Sequence, residues 1–383
     1  MRNYISGKKV KTSGLFKDEN ISYEYFLPSL INTDFDIENK KVFIFLEEAN
    51  RLLGELNAYG SLIPDIDFFI LMHVVSEAVS SSKIEGTKTG MDDALLEENE
   101  IDPEKRDDWR EVQNYIKAMN AAIGSLKDLP VSTRLIKETH RILLDGTRGE
   151  NKRPGIIRDS QNWIGGGSIK TAHFIPPHQS ELESLLSDWE KFWHNEKLNI
   201  PILLKIAIAH YQFETIHPFL DGNGRIGRLL ISLQLIERNF LKYPVLYISD
   251  FFERHRQSYY DSLDIVRQNN DMEQWILFFL DGVIETAKNS KETFEKILEL
   301  KNNFETKIVT LGRKAENAKR LLLYLFSDPI ISVRDVEKVL EVKYKSANSL
   351  VEDFVKIGIL RERTGFSRNR LFSVDAYINL FKK

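Results

Sequence analysis

Hydrophobic residues recur at intervals of three and four along most of the chain, the spacing that gathers them on one face of a helix. The first such run follows Asp36 and comprises Val42, Phe45, Leu46, Ala49, Leu52 and Leu53. The same spacing predicts helices over 65–85, 107–123, 132–144, 179–194, 201–214, 225–239 and 250–268, and a long helix from 272 past 291. We therefore expect a mainly α protein.

Two segments depart from the helical pattern. Residues 1–35 are mixed, with a Tyr- and Phe-rich patch that ends at Pro28, and we expect a strap that lies over another part of the molecule. Residues 162–177, NWIGGGSIKTAHFIPP, place three glycines between two short β-favouring stretches and end in two prolines. This arrangement predicts an exposed hairpin in the middle of the chain.

The C-terminal region predicts a separate small module. Helical spacing covers 318–326, 333–340 and 346–357, and Gly358 then ends the helices. The segment ILRERTGFSRNRLFSV that follows alternates like two strands, with Thr364 and Gly365 near the turn. Three helices and a two-stranded wing are the elements of a winged helix-turn-helix.

Composition narrows the class of protein. The chain has 383 residues, 42% of them hydrophobic and 29% charged, which suits two or three folded domains. The absence of cysteine excludes disulfides, thiolate catalysis and cysteine zinc sites. No apolar run approaches the ~20 residues of a membrane helix, and the N-terminus lacks the apolar centre of a signal peptide. We expect a cytoplasmic protein with no membrane partner.

The net charge of −4 is distributed unevenly. From Leu311 onward, fifteen Lys and Arg residues face nine Asp and Glu residues. The basic residues fall where a winged helix meets DNA: Lys343 and Lys345, with Ser346, open the second helix of the motif, and Arg361, Arg363, Arg368 and Arg370 lie in the wing. DNA binding through 300–383 is one interpretation, and a role in dimerisation or target docking is the other.

The stretch HPFLDGNGRIGRLL, residues 217–230, concentrates candidate chemistry. Pro218 ends the preceding helix, so His217 lies beside a loop that contains Gly222 and Gly224. The loop leads into a new helix near Arg225, and helix N-termini with successive free amides bind anions. Arg225 and Arg228 lie three residues apart on one helical face, which indicates a site for more than one phosphate.

An acid and a base complete the pattern. Asp221 would repel phosphate unless a divalent cation lay between them, and Mg²⁺ is commonly held by one or two carboxylates with phosphate oxygens. His217 can be neutral at cellular pH and accept a proton from a hydroxyl. The combination predicts phosphoryl or nucleotidyl transfer. The stretch contains no Walker A sequence, and Pro218 keeps His217 and Asp221 from forming a helical zinc pair.

These residues match the Fic-domain signature HPFxxGNGRxxR at every specified position, so the chain resembles Fic-domain protein adenylyltransferases. The resemblance implies a Fic-type helical core with a β-hairpin flap, and transfer of AMP from ATP to a Ser, Thr or Tyr hydroxyl. It implies that His217 is the base and that Asp221 holds Mg²⁺. It assigns nucleotide binding to Gly222, Asn223, Gly224, Arg225 and Arg228.

The resemblance extends to the flap, because RGENKRPGIIRDSQNWIGG, residues 148–166, is similar to the segment that precedes it in the family. Ile164, Gly165, Ile169 and Phe174 would pair with an extended segment of the target. Relatives that transfer a γ-phosphate carry lysine where this chain has Gly224, which favours AMP transfer. UTP or a choline-bearing nucleotide stays open, and Tyr259 and Tyr260 either read the base or pack in the core.

The segment Ser81-Ser82-Lys83-Ile84-Glu85-Gly86 fits the family's inhibitory pattern [S/T]xxxE[G/N]. In relatives with this pattern before the core, the glutamate forms an ion pair with the second arginine of the signature, which is Arg228 in this chain. Ser81, Glu85 and Gly86 would then form a brake in an N-terminal inhibitory helix.

We therefore expect an N-terminal helical region with the brake at 1–105, a Fic catalytic domain at 106–290 and a winged-helix domain at 291–383. The expected function is transfer of AMP to a target protein or to the chain itself, inhibited by Glu85, with ATP as co-substrate and Mg²⁺. The expected partner is a target protein that presents a hydroxyl, and a homodimer is left open. The alternative is a DNA-binding transcriptional regulator with a nucleotide-sensing Fic core.

Overall fold

Helices build most of the chain in the computed structural model, which describes residues 1–16, 19–62, 66–365 and 370–382. They are α1 (Lys40–Leu62), α2 (Asp67–Ile84), α3 (Met91–Ala94), α4 (Arg106–Ser125), α5 (Thr133–Leu143), α6 (Leu182–His194), α7 (Ile202–Ile216), α8 (Asn223–Glu237), α9 (Ser249–Arg254), α10 (Arg256–Asn269), α11 (Met272–Val309), α12 (Ala315–Ser327), α13 (Val333–Leu340), α14 (Tyr344–Lys356) and α15 (Asp375–Ile378). The mainly helical class predicted from the sequence is confirmed. The predicted helix 250–268 is two helices, because the backbone turns at His255.

The core surrounds α7, in which every residue from Leu203 to Ile216 is buried. Two tryptophans from neighbouring helices reach its backbone: the indole of Trp189 donates to the carbonyl of Ala209 at 2.8 Å, and that of Trp275 donates to Ala207 at 2.8 Å. The following helix, α8, is buried along most of its length. The segment that joins α7 to α8 therefore starts and ends in fixed positions.

The N-terminal strap is a β-hairpin. Its strands β1 (Gly7–Phe16) and β2 (Glu19–Pro28) pair antiparallel, from Gly7 opposite Pro28 to Phe16 opposite Glu19. Tyr23 and Tyr25 alternate inward and are buried with Ile169, so one face of the hairpin covers the predicted flap. The amide of Phe26 donates to the carbonyl of Ile175 at 2.9 Å, which joins β2 to the flap.

The predicted hairpin at 162–177 differs from the expectation. Only one bridge, Ile164 with Phe174, replaces the two strands, and Ile169–Thr171 forms a 3₁₀ turn. Gly165 and Gly166 have φ values of 69° and 70°, so the chain reverses through conformations that favour glycine. The glycine triplet thus shapes an irregular loop. The regular strands next to it are those of the N-terminal hairpin, β1 and β2.

The C-terminal region follows the predicted order of elements. After α12 come β3 (Ile330–Ser332), α13, α14, β4 (Arg361–Glu362) and β5 (Leu371–Ser373), and the strands form an antiparallel sheet in the order β3-β5-β4. The identification as a winged helix stays a prediction, as does the division into three domains. Residue 290, the predicted end of the catalytic domain, lies inside α11, which runs on to Val309.

Three of the four wing arginines pair with acids of the chain itself. Arg361 lies 2.7 Å from Asp375, Arg363 lies 3.3 Å from Asp92, and Arg370 lies 3.5 Å from Glu362. The predicted Arg368 lies outside the described residues. Much of the positive charge that suggested a DNA surface is therefore balanced within the chain. None of the helices in the described part of the chain is long and apolar enough to cross a membrane.

A buried carboxyl holds α2 against its neighbours. Glu77 accepts hydrogen bonds from the amide of Ser249 at 3.1 Å, from the Ser249 hydroxyl, and from the hydroxyl of Tyr115 at 3.3 Å. Burial raises its pKa to about 7, although these hydrogen bonds act in the opposite direction. The folded protein thus favours the protonated carboxyl.

This raised pKa predicts a pH-dependent stability. Because the folded pKa of Glu77 lies above the ordinary 4.5, its contribution is complete below about pH 4.5 and is lost as the pH rises through about 7. Between pH 5 and 8 we expect Glu77 to lower the free energy of unfolding by roughly 2 kcal/mol. Urea unfolding at several pH values should show a flatter profile for Glu77→Gln than for the wild type. The exposed Glu104→Gln variant serves as control, and an equally steep profile in Glu77→Gln would contradict the assignment.

Candidate active site

His217 lies at the junction of α7 and the loop. It ends α7 in the left-handed region, with φ 50° and ψ 61°, because Pro218 prevents the helix from continuing. Its side chain is half-buried. Burial and the charge of Arg158 lower the pKa of His217 to about 4, so the imidazole is neutral at cellular pH. A neutral imidazole can accept a proton.

The loop is closed by one asparagine. Asn223 accepts from the amide of Phe219 at 2.8 Å and donates to the carbonyl of the same residue at 2.8 Å. Gly222, with φ 75°, then turns the chain into α8. Asn223 was predicted to bind nucleotide, but both ends of its side chain are engaged within the loop. The amides at the start of α8 remain as the anion-binding feature.

His140 of α5 supports the loop from below and was missed in the sequence. Its ring stacks on Phe219, with centroids 3.7 Å apart and planes at 7°. The amide of Gly155 donates to Nδ1 at 2.8 Å, so Nε2 carries the hydrogen and donates to the carbonyl of Asp221 at 2.9 Å. The sequence did not indicate this role, because His140 lies far from the loop in the chain and no local motif identifies a histidine that supports a loop.

Asp221 is the candidate magnesium ligand. Its side chain is 41% exposed, and one oxygen accepts from the amide of Gly222. Among the described residues, no group of three or more acidic or histidine side chains could hold a metal. A single accessible carboxylate fits Mg²⁺ if phosphate oxygens and waters supply the other ligands.

Arg225 is fixed by an acid that the sequence analysis did not identify. Glu111 of α4 lies 3.2 Å from Arg225 and 2.7 Å from Arg148. Arg225 also lies 3.5 Å from Asp221, and its side chain is almost fully buried. Glu111 thus connects the predicted phosphate-binding arginine with a second arginine of the segment that precedes the flap.

Arg228 is held by the predicted brake. Its Nη2 lies 2.7 Å from Glu85 and donates to the carbonyl of Ser81 at 2.9 Å, while Nε donates to the Ser81 hydroxyl at 2.9 Å. Burial tends to raise the pKa of Glu85, but the charge and hydrogen bond of Arg228, together with the charge of Arg225, hold the pKa below its usual value. Gly86, with φ 100°, ends α2 directly after the pair.

Gly224 leaves space at this contact. A Cβ at residue 224 would overlap the Glu85 carboxylate and lie 2.9 Å from Nη1 of Arg228. Any side chain there, lysine included, would have to displace the ion pair. The absence of a side chain at 224 and the presence of Glu85 are therefore linked.

The two tyrosines have different surroundings. Tyr259 is 1% exposed, its ring stacks on Phe252, and its hydroxyl contacts Nε2 of His210 at 2.9 Å. It packs in the core, as the second interpretation had it, and offers no face to a nucleobase. Tyr260 is 37% exposed and lies near Arg256, so it alone of the pair is accessible.

The flap residues are only partly accessible. Ile169 and Phe174 are buried, the first beneath the N-terminal hairpin and the second against Arg267, whose guanidinium lies 3.9 Å from its ring centroid. Ile164 is itself half of the bridge: its amide donates to the carbonyl of Phe174 at 2.8 Å, and its carbonyl accepts from the amide of His173 at 2.9 Å. Of the four predicted flap residues, Gly165 alone is exposed.

Comparison with known sequences places this geometry in context. Residues 44–124 match the Fic/DOC family N-terminal model, and residues 130–235 match the Fic/DOC family model. The protein adenylyltransferase Fic of Aedes aegypti is 32% identical over 190 residues, and that of Culex quinquefasciatus is 31% identical over 189 residues. Each alignment covers 47% of this chain and 34% of the relative. The chain thus spans about a third of the length of these curated relatives.

Solved structures share the fold. A Fic family protein from Desulfovibrio desulfuricans superposes with a TM-score of 0.57 at 17% identity, covering 89% of this chain and 98% of that one. A Fic domain containing signaling protein from Bacteroides thetaiotaomicron superposes with a TM-score of 0.53 at 17% identity, covering 65% and 97%. At this level of identity the likeness shows the fold alone.

The closure of the loop predicts the effect of removing Asn223. Asn223→Ala loses two hydrogen bonds and leaves the buried amide of Phe219 unpaired, while the Phe219 carbonyl keeps its bond from Asn162, and the change should cost about 2 kcal/mol of stability. Because the amides at the start of α8 then lose their arrangement, ATP binding should weaken at least tenfold. Denaturant unfolding and calorimetric titration with ATP measure the two effects. Asn303→Ala, on the exposed side of α11, should change neither, and unaltered ATP affinity in Asn223→Ala would contradict the role.

Proposed function

We propose that this chain, whose residues 44–124 and 130–235 match the Fic/DOC family models, transfers AMP from ATP to a Ser, Thr or Tyr hydroxyl of a protein. The observation that carries the proposal is the neutral imidazole of His217 beside the N-terminus of α8 and two buried arginines, Arg225 and Arg228. This combination suits a base next to a polyphosphate site.

The reaction needs one proton acceptor and one leaving group. His217 takes the proton of the target hydroxyl as the oxygen bonds to the α-phosphorus of ATP. The bond from that phosphorus to the oxygen bridging the β-phosphate breaks, and pyrophosphate leaves. The imidazole then releases its proton to solvent. Phosphate charge near His217 would raise its pKa from about 4 toward neutrality, where a general base is most effective.

The triphosphate would lie along the start of α8. Arg225 is oriented by Glu111 toward the β-phosphate, and Arg228 is the candidate for the γ-phosphate. A Mg²⁺ ion bound by Asp221 and phosphate oxygens would neutralise part of the developing charge. With Tyr259 packed in the core, the exposed Tyr260 is the remaining candidate for contact with the base.

We further propose that Glu85 restrains this activity. Glu85 and Ser81 occupy three donor contacts of Arg228, and the Glu85 carboxylate would repel a γ-phosphate that approached the same guanidinium. ATP would then bind without its phosphates in the reactive arrangement. The restraint is removed when the last turn of α2 withdraws the carboxylate.

The partner of this reaction is a protein that docks beside the flap. DNA binding by the C-terminal region stays a prediction, and the pairing of Arg361, Arg363 and Arg370 within the chain gives it no support. A homodimer and the cytoplasmic location also stay predictions.

Labelled nucleotides test the reaction itself. Incubation with α-labelled ATP should transfer label to protein, and γ-labelled ATP should not, because pyrophosphate leaves with the γ-phosphate. His217→Ala should abolish transfer while ATP affinity stays within about threefold, since the imidazole acts on the hydroxyl. His255→Ala, an exposed histidine, is the control. Label retained from the γ position would replace the proposal with a kinase, and no label from either would indicate a nucleotide sensor.

The restraint is tested by changing its carboxylate. Glu85→Gly should raise AMP transfer by an order of magnitude or more, equivalent to at least ~1.4 kcal/mol of barrier, because Arg228 is freed. Glu85→Gln, which keeps the length and removes the charge, should raise it in the same direction. Lys83→Ala changes the same helical turn without touching Arg228 and should have little effect. Equal rates of labelling in the wild type and both Glu85 variants would exclude the restraint.

A further inference from the structure

Arg158 is a buried cation without a counter-ion. Its residue is 3% exposed, and no ion pair among the described residues includes it. Its guanidinium donates only to carbonyls: Nε to His217 at 3.0 Å, Nη1 to Ser160 at 3.0 Å and Nη2 to Pro177 at 2.5 Å. Burial lowers its pKa to about 10, so it stays charged at neutral pH.

The contacts of Arg158 connect two parts of the site. Ser160 and Pro177 lie at the two ends of the flap, and His217 is the candidate base. The backbone amide of Arg158 also donates to the carbonyl of Pro218 at 2.9 Å. The side-chain amide of Asn162 donates to the carbonyl of Phe219 at 3.0 Å. Three successive carbonyls of the catalytic loop are thus bound by the segment that leads into the flap.

Mechanical connection alone does not require a charge. The neutral amide of Gln161 also joins the two sides of the flap, donating to the carbonyls of Asn162 at 3.0 Å and Pro176 at 2.9 Å. A buried, unpaired cation costs several kcal/mol, whereas a neutral donor in the same place would cost far less. Because a neutral donor could make the same connection, we infer that the charge of Arg158 beside the backbone of His217 has a function of its own.

We propose that Arg158 is a positioning residue for the transfer reaction: it fixes the flap, and any target segment docked there, relative to His217, and its charge, placed against the carbonyl of His217, opposes protonation of the imidazole. The positional half of the proposal rests on the proposed function. The electrostatic half concerns His217 alone and can be measured without any reaction.

Four charged or polar groups act on His217 besides its burial. Arg158 and Arg267 oppose its protonation, while Glu85 and the backbone carbonyl of Glu214 favour it. Arg158 is the largest of these influences after burial, so its removal should raise the pKa of His217 from about 4. Glu85 already forms an ion pair with Arg228. We therefore expect that removing the charge of Arg158 is not offset by a change at Glu85.

The first experiment follows the titration of His217 by NMR in the full-length chain with ¹³C-labelled histidine. The His217→Ala spectrum identifies its signal. In Arg158→Gln the ratio of protonated to neutral imidazole at pH 5 should rise at least tenfold, and in Arg158→Lys, which keeps the charge, by less than threefold. The exposed Arg153→Gln variant, from the same segment, should match the wild type.

The second experiment separates binding from transfer, with the chain's own self-modification as the acceptor reaction and Glu85→Gly as the background. Arg158→Lys should leave the affinity for a non-hydrolysable ATP analogue within twofold and lower the single-turnover rate about tenfold, because one ammonium cannot bind His217, Ser160 and Pro177 together. Folding of each variant is checked by circular dichroism.

An unchanged His217 titration in folded Arg158→Gln overturns the electrostatic half. If Arg158→Gln does not fold, a Lys variant with wild-type rate and wild-type titration overturns the positional half by itself. If no variant, nor the parent, transfers AMP, the proposed function has failed, while the NMR titration still decides whether Arg158 governs His217.

Discussion

The site depends on the reversal of the chain between α7 and α8. Pro218 ends one helix, Gly222 starts the next, and Asn223 closes the loop between them by binding both backbone groups of Phe219. Because α7 and α8 are buried almost throughout, the ends of the loop cannot shift. This turn sets the positions of the N-terminus of α8, the His217 imidazole and the two arginines. Their relative geometry therefore depends on the closure of the loop.

Acids compensate the two arginines that are proposed to bind phosphate. Glu111 compensates Arg225 and Arg148, and Glu85 compensates Arg228. Arg158 has no such acid among the described residues and is surrounded by carbonyls. Paired arginines can be released to an incoming phosphate, because the phosphate replaces the carboxylate. Arg158 has no carboxylate for a phosphate to replace among the described residues, so under the proposal it keeps its contacts with the carbonyls when a nucleotide binds.

The sequence was sufficient wherever the signal was local. Proline, glycine and the spacing of Arg225 and Arg228 predict the loop and the start of α8, and helical periodicity predicts most helices within a few residues. The contact between Ser81, Glu85 and Arg228 was anticipated through the family resemblance across more than a hundred residues. His140, Glu111 and Arg158 were not identified, because their roles come from tertiary packing. Tyr259 shows the same limit, since the sequence of two adjacent tyrosines does not indicate which of them is buried and which is exposed.

The position of Glu85 at the very end of α2 has a consequence for how the restraint behaves. Helix ends fray far more readily than helix centres, and Gly86 directly follows the glutamate. The carboxylate can therefore leave Arg228 while the rest of α2 stays anchored by Glu77. Under the proposed restraint, closed and open forms would coexist at a ratio set by this single helical turn, so small changes near residue 85 would alter the resting rate of transfer.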